Sequence, residues 1–255
     1  MTVYCAEHSF QTRIFMDKKN SNLVNITLVI PTFERHPYVK RQIDFWKNYK
    51  IKVEILDGSD TPLLNIKNKK NSLIRYWHIP KSIEKRLLFA SSLIKTKYAA
   101  LLSDDEFFLP SAIDNCIQFL EKNKDYGSCK GRAIWFDFWN GEIIGGSTYT
   151  RLNHFHVKSN KGYERMIEHL VPYEIGTLWS VQRSEIFIAN LKTVGSNKAF
   201  STAAAVEMQI SLISSYISKV KVIDEIMWFR SEENPNIWWS FGRTTFKNWW
   251  NDSIF

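Results

Sequence analysis

Apolar positions in the first half of the chain gather into three short runs separated by segments of helical period. The runs are "NITLVIP" (25–31), "KVEILDG" (52–58) and "YAALLSDD" (98–105). Runs this short, near-continuous and rich in Ile, Leu and Val, suit strands covered on both faces, as in parallel sheets. Between them, "HPYVKRQIDFWKNY" sets Val39, Ile43, Phe45 and Trp46 near one helix face, and "SIEKRLLFASSLIKT" repeats Ile83, Leu87, Ala90 and Ile94 at helical spacing. The pattern predicts strand, helix, strand, helix, strand: an α/β fold with a mostly parallel sheet and helices on both faces.

In the second half, "GRAIWFDFWNGEIIGGSTY" alternates and turns at Asn140-Gly141, which predicts a small antiparallel hairpin. A polar stretch covers 151–170. "IGTLWSVQRSEIF" reads as a strand entering a short helix. "STAAAVEMQISLISSYISKV" reads as a helix capped by Ser201 or Thr202, with the stripe Val206, Ile210, Ile213, Ile217 and Val220. "VKVID" returns as a strand. No repeat, low-complexity tract or Pro/Gly/Ser linker interrupts the chain, so one domain over 1–255 is expected, with halves at 25–115 and 116–230 and a helical, aromatic and basic tail at 231–255.

Composition changes this picture in three ways. Of 255 residues 44% are hydrophobic, enough for a sizeable core in a folded, soluble-type protein. Thirty-four Lys and Arg against 26 Asp and Glu leave a formal charge of +8, which favours anionic partners without choosing among them. Three cysteines, Cys5, Cys116 and Cys129, offer neither a disulfide framework nor zinc spacing and suit a reducing compartment. No apolar stretch reaches the length of a membrane span, and the first thirty residues lack the apolar core of a signal peptide. These features predict a cytoplasmic protein.

Ligands of open parallel sheets bind beyond the carboxyl ends of the strands. Those ends read "PTFER" (31–35), "DGSD" (57–60) and "SDDE" (103–106). Alone, the second is a turn and the third a solvated acidic loop. On one rim they suggest more. Asp104, Asp105 and Glu106 repel one another, and a strand end that concentrates carboxylates suits Mg2+ or Mn2+, which would bridge the phosphates of a nucleotide.

These segments resemble glycosyltransferase family 2, enzymes of GT-A fold that move a sugar from a nucleotide donor to an acceptor. The first motif of the family is similar to P-T-[YF]-x-R, matched by Pro31, Thr32, Phe33, Glu34 and Arg35. Its D-D-G-S is matched by Asp57, Gly58 and Ser59, with Leu56 in the first position. An Arg-Asn pair before the metal-binding D-x-D is matched by Arg86, with Leu87 for the Asn. Over D-x-D itself, Ser103 replaces the first acid and Asp105 falls on the second. The resemblance implies that Pro31, Thr32, Phe33, Arg35, Asp57, Arg86 and Asp104 line the nucleotide-sugar pocket and that Asp105 and Glu106 hold the cation. It also implies a general base at Glu207, where "VEMQISL" is similar to the family's "EDYELSL". An inverting transfer to a glycan or lipid-linked acceptor in bacterial surface polysaccharide synthesis is then expected.

Other features carry less. Trp135, Phe136, Phe138 and Trp139 could form a wall on which a sugar stacks, or simply core. Trp238, Trp239, Trp249 and Trp250 with Arg243 and Lys247 would suit peripheral docking on an anionic membrane, or packing on the domain. A nucleotidyltransferase shares such a sheet but opens with a Gly-rich loop, absent from "PTFERHPYVK". A non-catalytic nucleic-acid or membrane-surface binder leaves the rim carboxylates without a purpose, so nucleic acid is not expected as a partner.

Overall fold

The computed structural model describes residues 21–64, 72–171, 173, 178–196 and 203–234. Each of the three apolar runs is a strand: β1 (Ile26–Thr32), β2 (Lys52–Asp57) and, after an intervening β3 (Ile74–His78), β4 (Tyr98–Leu101). The two helices also form, α1 at His36–Trp46 and α2 at Ile83–Leu93. β3 is not announced by the apolar pattern. It is the outer strand of the sheet and buries only Tyr76, so charged and aromatic residues alternate where a central strand would be continuously apolar.

Downstream come β5 (Phe107–Phe108), α3 (Pro110–Lys122), β6 (Tyr126–Trp139), β7 (Glu142–Thr148), β8 (His156–Val157) and α4 (Gly162–Leu170). β9 (Val181–Arg183), α5 (Ser184–Ser196), α6 (Ala203–Ile217) and β10 (Lys219–Ser231) follow. The strands join one sheet in the order β3-β2-β1-β4-β9-β6-β10-β5, with β7 on β6 and β8 on β10. The first four strands are parallel. β9 then enters antiparallel to both neighbours, and β6 runs parallel to β10. The hairpin β6–β7 turns where expected, with Asn140 at φ 49° and Gly141 at φ 82°, the left-handed pair that a tight two-residue turn needs.

Three predicted elements differ in extent. The polar stretch at 151–170 contains a short 3-10 turn, β8 and α4. α5 runs for 13 residues, not a short turn of helix. The strand begun by "VKVID" continues to Ser231, and the register shifts between Val222 and Ile226, where Asp224 and Glu225 interrupt the apolar run. The expected cap at Ser201 or Thr202 lies outside the described residues, as does the tail from residue 235 with its four tryptophans.

Alternate strand residues serve opposite layers. Leu28, Ile30, Val53, Ile55, Tyr98 and Ala100 pack with Val39 and Trp46 of α1 and Ile113 and Ile117 of α3. Val29, Leu56, Ala99 and Leu101 pack with Leu87 of α2, Phe187 and Leu191 of α5, and Ile210 of α6. Both faces of β1 and β4 are thereby sealed, and their polar chemistry is confined to their ends. Among the described residues no helix is long and apolar enough to cross a membrane.

His169 of α4 is fully buried, and among the described residues neither ring nitrogen has a hydrogen-bond partner. Phe155 and Tyr173 meet it edge-on at 5.6 and 5.4 Å. Burial pushes its pKa down to about 4. An unfolded histidine titrates near 6.5, so between these values the unfolded chain binds the extra proton and stability rises with pH. The full contribution, about 3 kcal/mol, is present above pH ~6.5 and is lost as the pH falls toward ~4. Melting of wild type and His169→Leu between pH 4 and 8 should show a steep acid loss in the wild type and a flatter one in the variant. Parallel profiles would remove His169 as the cause.

Candidate active site

The crevice is made by two strands that part. β1 pairs with β4 only as far as Val29 and Leu101, while its pairing with β2 continues to Thr32 and Asp57. Pro31, which has no N–H to donate, lies beyond the last β4 pair, where none is required. Past this fork the β4 end is roped back by side chains. The Thr32 hydroxyl donates to Asp104 Oδ2 at 2.6 Å. Gln42, buried on the apolar face of α1, donates to the carbonyls of Asp104 and Glu106 at 3.0 and 2.6 Å and is itself fixed by the Trp46 indole at 2.8 Å.

The first and second loops are similarly joined. Glu34 takes a left-handed backbone, φ 54°, uncommon for a residue with a Cβ. There its amide donates to the Ser59 hydroxyl at 2.7 Å and its carboxylate accepts from the Asp60 amide at 2.8 Å. Behind them, Arg86 sends Nη1 to the carbonyls of Thr32 and Leu56, at 2.5 and 2.8 Å, and Nε to that of Lys81 at 3.1 Å. A Cβ at Gly58 would come within 2.6 Å of the Arg86 guanidinium carbon, so glycine is required by this close approach. Burial lowers the Arg86 pKa, and the charges of Asp57, Glu84 and Asp104 resist that.

Asp57 is fully buried at the end of β2. Oδ1 accepts from the amide of Ser59 at 2.8 Å and from its hydroxyl, and Oδ2 accepts from the Tyr76 hydroxyl and lies 3.2 Å from His36 Nε2. Burial pushes its pKa up, but the Ser59 and Tyr76 donors with His36 outweigh that and hold the carboxyl below its ordinary range. Asp104 goes the other way: burial and the neighbouring Asp105 raise it against the Thr32 hydrogen bond and Arg35. Arg35 Nη1 stands between the two acids, 3.1 Å from Asp104 and 3.2 Å from Asp105.

Thr32, Arg35, Asp57, Arg86, Asp104 and Asp105 are thus gathered at the strand ends, all of them buried except Arg35. Phe33 is exposed on the rim of the crevice, and Pro31 is a backbone element within it. Glu106 turns away: its carboxylate is buried and accepts from the Trp228 indole at 2.7 Å. Burial, then the charge of Asp105, pushes its pKa well up. Asp105 accepts from Ser103 at 2.7 Å and from the Asn234 amide at 2.6 Å as well as from Arg35. Among the described residues no group of three or more His, Cys, Asp or Glu is gathered for a metal ion. With one acid turned inward and the other bridged to a guanidinium, the donor set as arranged does not fit the expected Mg2+ or Mn2+.

Glu207 lies half-buried near the start of α6. Burial raises its pKa to about 7, opposed by Arg230. Its charge is felt at Glu106, Tyr149 and Tyr173, which places it on the side of the acidic loop. Tyr149, at φ 50°, stacks on Trp228 with ring centres 5.2 Å apart, and the Arg230 guanidinium lies 5.5 Å from its ring centre. Two of the three non-glycine residues with positive φ among those described, Glu34 and Tyr149, therefore sit at this site.

The sequence pattern does not reveal Tyr149, Trp228, Arg230, Tyr76 or Gln42. Gln42 carries a signal, a polar residue between Val39 and Trp46 on an otherwise apolar face. Tyr76 belongs to β3, Trp228 and Arg230 to the hidden continuation of β10, and Tyr149 to the turn after β7. Arg183 binds the carbonyls of Leu120, Asn123 and Tyr126 at the end of α3. Phe138 and Trp139 are exposed at the hairpin tip, while Phe136 lies 6.4 Å from Phe107 beside the acidic loop.

No protein-family model matches the chain, and no curated protein does. Solved structures do. Residues 1–349 of S. aureus TarS, a GT-A-type glycosyltransferase, match with a TM-score of 0.58 at 11% identity over 81% of this chain and 60% of that one. The same protein in complex with UDP-GlcNAc gives 0.58 at 12% identity over 83% and 59%, and in complex with UDP 0.56 at 12% over 81% and 60%. The chain spans about 60% of the length of these structures. Together with the strand order and the crevice at the parted ends of β1 and β4, these likenesses show that the chain has the GT-A fold.

Proposed function

We propose that the chain is a glycosyltransferase that takes a sugar from a nucleotide donor and passes it, with inversion, to a hydroxyl of a glycan or lipid-linked acceptor of the bacterial surface. The observation that carries this reading is the closure of three strand ends around one crevice, with Asp57 at one end, the Arg35-bridged Asp104 and Asp105 at the other, and Glu207 beside them. The UDP-GlcNAc and UDP complexes of TarS support a nucleotide sugar as the donor class. The buried free thiols Cys116 and Cys129 support a cytoplasmic setting.

Each residue has a task its surroundings favour. Asp57, ionised, buried and pinned by Ser59 and Tyr76, holds in place the loop at the end of β2 against which the nucleotide base packs. Arg35 faces the donor phosphates from the opposite side of the crevice. Glu207, with a pKa of about 7, takes the proton from the acceptor hydroxyl as its oxygen forms a bond to the anomeric carbon. The bond from that carbon to the donor phosphate oxygen breaks, and the nucleotide leaves with the electron pair. A carboxylate of ordinary pKa would be a weaker base at neutral pH, so the burial of Glu207 is an advantage here.

Two outcomes test this. In a screen of uridine, guanosine, thymidine and cytidine sugar donors, at least one should be consumed, and Glu207→Gln should still bind that donor while turning over about 10²-fold more slowly or worse. Unchanged turnover would dismiss Glu207. Because the base must be ionised, kcat should rise with pH through about 7 and level off above it, falling about tenfold per unit on the acid side. A profile flat from pH 5 to 8 would contradict the assignment.

A further inference from the structure

The two rim acids are bound to a guanidinium in an arrangement that already satisfies them. A single nitrogen of Arg35 bridges Asp104 Oδ1 at 3.1 Å and Asp105 Oδ2 at 3.2 Å. The remaining oxygen of Asp104 accepts from Thr32 at 2.6 Å, and that of Asp105 from Ser103 at 2.7 Å. Asn234, held by the Tyr38 hydroxyl at 3.0 Å, adds a second donor to Asp105 Oδ2 at 2.6 Å. All four carboxylate oxygens therefore have hydrogen-bond donors. Ser103, standing where the family pattern has an acid, is one of them, so that change supplies a donor where a metal ligand would be.

The guanidinium is not exhausted by this bridge. It has five N–H groups in a planar fork, and Nη1 alone serves the two acids. Its side chain is 25% exposed, whereas the two acids it bridges are buried. Arg86, whose charge is felt by the same acidic cluster, stands fixed behind the first two loops.

We propose that Arg35, clamped by Asp104 and Asp105, is the cation of the donor site and grips the donor's phosphate oxygens with its remaining N–H edge, so that nucleotide binding needs no divalent metal. This rests on the donor-binding reading above and goes beyond it. It also gives the acid cluster a second purpose: the two carboxylates aim and hold the arginine.

Calorimetric titration of the full chain with UDP, GDP, dTDP, CDP and CMP, in EDTA and again in Mn2+, tests it. The nucleotide that binds should do so with a Kd within about threefold in the two buffers. Arg35→Met should weaken that binding about tenfold or more in EDTA, and Arg35→Lys, which keeps the charge but loses the fork, should fall between. Wild-type binding that requires Mn2+, or Arg35→Met binding as tightly as wild type in EDTA, would overturn the proposal. The comparison of buffers needs no variant and decides the matter even if Arg35→Met does not fold. Failure of every nucleotide to bind in either buffer would instead overturn the donor reading, and this proposal with it.

Discussion

Repulsion between neighbouring carboxylates is the constraint to which the rim answers. Two like charges about 4 Å apart near a protein surface repel by about 4 kcal/mol, a large fraction of the stability of a domain. Asp104 and Asp105 are both buried, which worsens the problem. The chain offsets it with Arg35 between them and hydroxyls on the outer oxygens, each charge-assisted bond contributing about 1.5–3 kcal/mol. The Thr32 and Arg35 partners both come from the end of β1. Satisfying the acids therefore draws the β4 loop across the fork in the sheet and closes one side of the crevice.

The same economy governs the other side. Asp57 is ionised only because Ser59, Tyr76 and His36 supply donors in a buried setting. Those donors come from the DGSD loop, from β3 and from the start of α1, so the charge state of one carboxylate depends on three elements being in register. Glu34 in a left-handed backbone and Gly58 against Arg86 are local departures that let the first two loops touch. Strain and close approach are concentrated where strands end, and the sheet behind them is regular and apolar.

Much of this was legible in residues alone. The runs at 25–31, 52–58 and 98–105 announce central strands because burial on both faces demands continuous apolar sequence, and the polar triplets after them mark the rim. What escapes is of two kinds. β3 buries one face of one residue, so its alternation of Arg75, Tyr76, Trp77 and His78 looks like surface. β10 is broken by Asp224 and Glu225 at a register shift, which hides the Trp228 and Arg230 that line the Glu207 side. The inward turn of Glu106 was equally hidden, since its partner Trp228 lies 122 residues away. Motif position can assign an acid to a rim, but only the tertiary partner decides which way its side chain faces.

The central claim is that one nucleotide is held between the end of β2 and the loop after β4. A crystal structure of the chain with the tightest-binding nucleoside phosphate tests it most directly. The account predicts the base against the loop that follows β2 and the phosphate against Arg35, spanning the fork between β1 and β4. A nucleotide bound elsewhere, touching neither the loop that follows β2 nor Arg35, would contradict it.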